Sequence, residues 1–399
     1  MKKNRRFSFF PSLSDKLLIL VTLGMVVFGS FMVMSAEMGV AAGETSVITK
    51  TAIRQIAFFI AGLIAMGFLS KVRVLDFNIN LYWIGYFVIL CALLSTRLFG
   101  STNGAYAWIR IGSLASIQPS EFAKIFIMLM GAKLLSRNRP SQNRHNFLTF
   151  IVLAAIYFVV IVFYQKDLGS GVVLAGICFV IMLVPPYKEY NTYHLRMFLL
   201  LIVGFAGMLF LLSPLGTKLL EKFSGSYKVA RFLASSNPFA YQYDSGYHVI
   251  MGLVSFATGG WFGLGYGQSI HKYMNFPNPS TDFILPVIVE EMGIILGLLP
   301  ILAGYVIMFY KLYKYGIKSE LVSSKMILLG TFTYIAIHFV LNIGGVSGLV
   351  PLTGVPLLLI SSGGSSTVAT MCAIGICEGE IVNYRKGLVE ENEDSSRKV

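Results

Sequence analysis

Charge is what this chain most lacks. Asp, Glu, Lys and Arg make up 13% of its 399 residues, against 55% hydrophobic residues and a mean hydropathy of +0.71. Soluble domains carry about 25% charged residues, so a water-facing surface is excluded for most of the length. Cysteine is also scarce. Cys91, Cys178, Cys372 and Cys377 all fall within apolar runs, and none stands at metal-ligand spacing to a histidine. That excludes a zinc module and a disulfide framework. The net charge of +13 is spread along the chain rather than gathered in one stripe, so no nucleic-acid partner is expected. Tandem repeats are missing, and the short charged tail from Glu390 to Val399 is expected to be disordered.

What is present in quantity is apolar sequence. Runs of about 18 to 25 residues, long enough for a bilayer core of roughly 30 Å, recur from end to end. The chain reads as an all-α polytopic membrane protein with ten spans, at about 17–36, 53–70, 79–96, 120–136, 147–164, 168–186, 197–213, 283–309, 325–344 and 355–382. Lys2, Lys3, Arg5 and Arg6 ahead of the first span resemble a signal peptide. Its apolar stretch is too long for one, so an uncleaved helix is expected. Most Lys and Arg in short connections fall on the side of the two termini, which places both termini in the cytoplasm. Residues 1–16 then form a cytoplasmic segment, 17–382 the transmembrane domain and 383–399 a cytoplasmic tail. The one long connection, about 214–282, lies on the outer face between the seventh and eighth spans, where function is expected. A second outer loop, Arg97 to Pro119, suits a segment lying in the interface and anchored by Trp108.

Charges at membrane depth cost several kcal/mol unless paired or hydrated, and so carry information. Glu121 and Lys124, spaced i,i+3 behind Pro119-Ser120, can form a buried structural pair or touch substrate. Asp167 can cap the sixth helix or hold a cavity open. Glu290 and Glu291 point about 100° apart on a helix, so at most one faces a given cavity. The small residues of Pro351 to Ser366 serve helix packing or line a phosphate site. Asp282 stands apart. A loop with glycines at 259, 260, 263, 265 and 267, then Ser269, Lys272 and Ser280-Thr281, delivers this one carboxylate to the mouth of an apolar helix. It is a helix cap or a functional group, and its place at the end of the long loop, with Lys272, Lys228 and Arg231 in the same stretch, favours function. Such a site suits an anionic, lipid-linked substrate with its phosphate at headgroup level.

These residues resemble the SEDS family, the FtsW/RodA/SpoVE peptidoglycan polymerases. The matching stretches run from Trp108-Ile109 through Gln118 to Lys124, then Gln165 to Ser170, Arg231 to Pro238, Gly246-Tyr247 and Gly259 to Lys272. They continue through Thr281 to Ile284 with Glu290, Glu291 and Gly293, then Asn342 to Gly344 and Pro351 to Ser366. The spacing Gly267, Ser269, Lys272 is nearer to FtsW and SpoVE than to RodA. The family's essential aspartate, in the pattern His-Thr-Asp-Phe-Ile-Phe, falls on Asp282, while its histidine is replaced by Ser280 and the glutamate two residues earlier by Asn278.

The resemblance implies a ten-helix glycosyltransferase that polymerises lipid II at the outer face of the cell membrane. It also implies a class B penicillin-binding protein transpeptidase and other division proteins as partners. In that reaction one lipid-linked sugar hydroxyl attacks the anomeric carbon of another, with inversion and loss of undecaprenyl pyrophosphate. Asp282 is the expected base, with Thr281 and Ser269 beside the substrate. Lys272, Lys228 and Arg231 are expected to stabilise the leaving pyrophosphate. A divalent cation, Mg or Mn, would do the same work. The rival readings are a lipid II flippase, for which an inverted repeat is missing from the sequence, an elongation-type polymerase of the RodA kind, and a scaffold without activity.

Overall fold

The computed structural model describes residues 8–397, apart from 41–44, 103, 113–114, 138–139, 214, 217–231, 234–236, 244–245, 275 and 277. Within these residues helices dominate: α1 (Lys16–Val40), α2 (Thr45–Leu69), α3 (Ile79–Ser95), α4 (Pro119–Leu135), α5 (Pro140–Val159), α6 (Leu168–Leu183), α7 (Asn191–Leu212), α8 (Tyr247–Gly259), α9 (Ile284–Gly293), α10 (Leu299–Lys318), α11 (Val322–Val346) and α12 (Gly364–Arg397). One hairpin, β1 (Ile109–Ile111) and β2 (Ala115–Ile117), pairs antiparallel with Arg110 opposite Ser116. Seven helical stretches are long and apolar enough to cross a bilayer, among them a continuous run over Ile284–Lys318. The other three expected spans fall on α4, α6 and α7.

Burial sorts the helices into an inner and an outer set. The apolar window of α12 is 89% buried, whereas those of α2 and α3 are 22% buried. Helix α4 is buried along nearly its whole length, starting from Pro119, whose fixed φ and missing N–H suit the first turn. It packs against α6 and α11. Around this centre α2, α3 and α7 turn large apolar side chains outward, including Ile64, Phe87 and Leu200. In a chain this poor in charge, lipid is the medium that suits such a surface.

Three expectations about local structure change. Residues 355–363 are not helical. Pro356 lacks an N–H, Leu359 takes a left-handed φ of 67°, and the last helix starts only at Gly364. The long connection is not all loop, since it contains α8. That helix buries Val249, Gly252, Ser255 and Gly259 on one side against α9, and its i,i+3 stripe is diluted by glycine and serine. The Arg97–Pro119 loop folds into the β1–β2 hairpin, whose far end is tied down where Gln118 N–H donates to Ser365 Oγ at 3.0 Å.

Candidate active site

The organising feature is a helix that stops short. Gly293 has φ 71°, so α9 ends there before a wider turn, Ile294–Leu298, leads into α10. A helix end leaves carbonyls without partners. Here the glycine-rich loop supplies them. Leu264 N–H donates to Glu290 O and Gly265 N–H to Glu291 O, both at 2.9 Å, while Ile294 N–H and Ile295 N–H donate back to Gly260 O and Trp261 O. Backbones approach so closely that a Cβ on Gly263 would run into Glu291 O and the Gly293 N. Gly263 also has φ 78°, a conformation that side chains resist.

That close fit brings both glutamates into the same loop. Glu291 accepts from Lys272 Nζ (2.7 Å), Ser35 Oγ of α1 (2.6 Å), Gly267 N–H (3.0 Å) and Ser269 N–H (3.4 Å). Glu290 accepts from Ser269 Oγ (2.6 Å), Ile270 N–H (3.0 Å) and His271, whose Nδ1 lies 2.7 Å away. Lys272 Nζ also donates to Gly267 O at 2.9 Å, and its side chain and that of Glu291 are fully buried. The sequence suggested that at most one glutamate faces a given cavity. Because the loop wraps the helix end, both are bonded to it, and each is saturated with donors.

Asp282 sits in a different setting. It lies in the turn before α9, half-buried, and its Oδ1 accepts one hydrogen bond, from Thr281 Oγ1 at 2.6 Å. The helix-capping role is not what the structure shows: Phe283 occupies the cap position. The turn itself is pinned from two sides. Asn342 Nδ2 of α11 donates to Asp282 O (3.0 Å) and Val355 O (2.9 Å), and Ser362 N–H donates to Ser280 O (2.7 Å). Ser362 Oγ in turn is approached by Gln55 Nε2 (3.3 Å) and Arg54 Nη2 (3.5 Å) from α2. The backbone and its neighbours thus fix a carboxylate that keeps most of its acceptor capacity open.

The remaining charged residues tie the inner helices together. Lys124 Nζ lies 2.6 Å from Glu121 Oε1 and 3.1 Å from His338 Nε2, and Tyr334 donates to Glu121 Oε2 at 3.0 Å, all buried. Asp167 accepts from Ser170 N–H, capping α6, and from Gln118 Nε2, both at 3.0 Å. Lys228 and Arg231 lie outside the described residues. Among the described residues no group of three or more His, Cys, Asp or Glu is placed to hold a metal ion. Sequence reasoning missed Arg54, Ser35 and the pinning role of Asn342. An asparagine within an apolar helix was the available signal for the last.

The sequence model for the FtsW/RodA/SpoVE family, described as "Cell cycle protein", matches residues 15–385. Among curated proteins, stage V sporulation protein E of Bacillus subtilis (strain 168) is 31% identical over 91% of this chain and 95% of its own length. The probable peptidoglycan glycosyltransferase FtsW of the same organism is 35% identical over 72% of this chain and 70% of its own. Among solved structures, a chain from "Structural coordination of polymerization and crosslinking by a peptidoglycan synthase complex" aligns with a TM-score of 0.69 at 24% identity. That alignment covers 93% of this chain and 98% of the other. Thermus thermophilus rod shape determining protein RodA aligns at 0.59 and 22% identity, over 93% of this chain and 97% of its own.

Proposed function

The chain belongs to the FtsW/RodA/SpoVE family, and on that footing we propose that it is the peptidoglycan glycosyltransferase that polymerises lipid II, with Asp282 as the catalytic base. The observation that carries this reading is the contrast in donor saturation. Glu290, Glu291, Glu121 and Asp167 are each tied to two or more donors or charges, whereas Asp282 has a single side-chain partner and is half-buried. A sugar hydroxyl attacks well only if a base takes its proton as the bond forms, and a positioned base contributes about 10²- to 10⁴-fold. The acceptor's hydroxyl proton goes to Asp282 Oδ2, the new glycosidic bond forms at the donor's anomeric carbon with inversion, and undecaprenyl pyrophosphate leaves.

The leaving pyrophosphate needs cations. Lys272 is committed to Glu291 and positions the loop rather than meeting substrate. Arg54 is joined to the Asp282 turn through Ser362 and Ser280, and it takes the electrostatic role, with Lys228 and Arg231 as further candidates in the adjoining loop. The assembly has ten spans and both termini in the cytoplasm, so the reaction occurs at the outer face of the cell membrane. A class B penicillin-binding protein transpeptidase receives the strands, and the spacing of Gly267, Ser269 and Lys272, nearer to FtsW and SpoVE than to RodA, supports a role in division rather than elongation.

Two experiments test this. Asp282→Asn keeps the size of the side chain and its acceptance from Thr281. Strand yield from lipid II on a glycan gel should fall by about 10²-fold or more while lipid II binding persists. Equal yield removes Asp282 as the base, and no strands from wild type under any partner condition favours the flippase. For orientation, a cysteine at Tyr243, which is 94% exposed in the long connection, should react with an impermeant thiol reagent in intact cells. One at Lys318 should not. The reverse pattern overturns the placement of Asp282.

A further inference from the structure

At the end of the molecule away from Asp282, where the N-terminal segment meets the end of α2 and the later turns of α12, lies an open cavity of about 700 Å³. That is the size range of small-molecule sites, roughly 300 to 1,000 Å³. Its three lining cations come from two separate places in the chain: Lys71 and Arg73 just beyond α2, and Lys386 on α12. No Asp or Glu lines it among the described residues. Of the two buried glutamates nearby, Glu378 accepts from Asp15 N–H at 2.8 Å, and Glu380, which feels the charge of Arg73, accepts from Ser324 Oγ at 2.5 Å. Arg73 Nε is buried without a hydrogen-bond partner. Its nearest carboxylate, Asp76 at 3.7 Å, is 67% exposed and so a weak competitor.

The rest of the lining mixes apolar Phe10, Pro11, Leu13, Val72 and Val382 with polar Ser8, Ser12, Ser70 and Asn383. The cavity opens where the apolar span of α2 stops, at Leu69, hence at the level of lipid headgroups. A free phosphate needs only the cations. A wall that adds apolar side chains and neutral hydroxyl and amide groups to the cations fits a phosphate joined to a glycerol backbone. We propose that this cavity binds the headgroup of an acidic phospholipid, with Arg73, Lys71 and Lys386 around the phosphate, and so fixes the N-terminal segment against α12. Basic pockets between helices on a membrane's cytoplasmic side recognise lipids by this chemistry. The inference uses the membrane placement of the chain and does not depend on glycosyl transfer.

The test uses the purified full-length protein in nanodiscs of phosphatidylcholine with a minority of phosphatidylglycerol, read by native mass spectrometry of lipids retained after delipidation. Wild type should keep phosphatidylglycerol in preference to phosphatidylcholine. Lys71→Gln, Arg73→Gln and Lys386→Gln should each lower that retention about fivefold, which is roughly 1 kcal/mol per cation. Lys314→Gln with Lys318→Gln, two cations outside the cavity, should change nothing. Where a variant fails to fold, Lys386→Gln alone decides, because that side chain is exposed at the rim. Equal retention of the two lipids, or an equal fall in the Lys314/Lys318 control, overturns the proposal. Displacement of phosphatidylglycerol by millimolar inorganic phosphate assigns the cavity to a soluble anion instead, and overturns the lipid assignment.

Discussion

Two groups of carboxylates lie within ten residues of one another on either side of the start of α9, and they are built for opposite ends. Glu290 and Glu291 are completely buried, and every nearby donor is aimed at them: a lysine, a histidine, two serine hydroxyls and a row of backbone N–H groups. Asp282 has one hydroxyl on its side chain, and the strong contacts around it go to backbone carbonyls of its turn. The first arrangement spends the charge on architecture. The second holds the backbone still and leaves the charge available. A base must exchange a proton with substrate, and a carboxylate whose lone pairs are taken by four donors has little acceptor capacity left to offer it.

The largest expected effect comes from breaking the first group. Glu291→Gln strands Lys272 in a fully buried setting, and removing one partner of such a pair costs about 3 to 5 kcal/mol. The purified variant should lose a large part of its melting temperature, whereas Asp282→Asn should melt within about 2 °C of wild type because its turn is held through the backbone. Replacing Lys272 with Met in the Glu291→Gln background should recover part of the loss. If Glu291→Gln melts like wild type and Asp282→Asn does not, the division of labour drawn between the two groups is wrong.

A smaller effect is expected from the loop that does the wrapping. Gly263→Ala asks a side chain to take φ 78° and to occupy the space of Glu291 O and Gly293 N, strain of about 1 to 3 kcal/mol. Gly267→Ala has φ 80° but open space around its Cβ, and should cost less. The ordering, measured by thermal unfolding in detergent, checks that close backbone approach rather than φ alone is what the glycines serve.

How far these features could be read from sequence depends on their range. Apolar runs announce helices because the bilayer demands about 20 apolar residues whatever surrounds them, and the i,i+3 spacing of Glu121 and Lys124 needs no tertiary knowledge. Asp282 was legible as the one carboxylate that the glycine-rich stretch 259–282 delivers to a helix start. The fate of Lys272 was not, since its partners, Glu291 and Ser35, lie 19 and 237 residues away. The break at Gly293 hid for a similar reason: a glycine followed by apolar residues reads as more helix, and only the incoming loop makes a left-handed glycine favourable. The start of the last span was misplaced because Pro351 to Gly363 is as apolar as a helix, and its non-helical path depends on contacts with α11 and α2.

A fourth carboxylate, at the opposite end of the molecule, separates the two behaviours on a finer scale. Asp15 precedes α1 and caps it, accepting from Leu17 and Leu18 N–H at 3.1 and 3.2 Å, and its other oxygen takes Lys311 and Tyr315 at 2.8 Å and Arg385 at 3.1 Å. Burial raises its pKa, but the hydrogen bonds from Lys311, Tyr315 and Leu18 outweigh that, and the net shift is downward from the ordinary 3.8. A carboxylate with a depressed pKa stabilises the fold at pH values above its unfolded pKa, and that contribution is lost as pH falls through the folded value. Wild type should therefore out-melt Asp15→Asn by a constant margin from pH 7 down to about 4, and the margin should shrink as the pH drops below 3.8. Strand yield at neutral pH should change little, since Asp15 ties α1 to α10 and α12 and touches no part of the Asp282 turn. A margin that grows on acidification would mean that burial, not pairing, governs Asp15, and that it belongs with groups kept neutral rather than with Glu291.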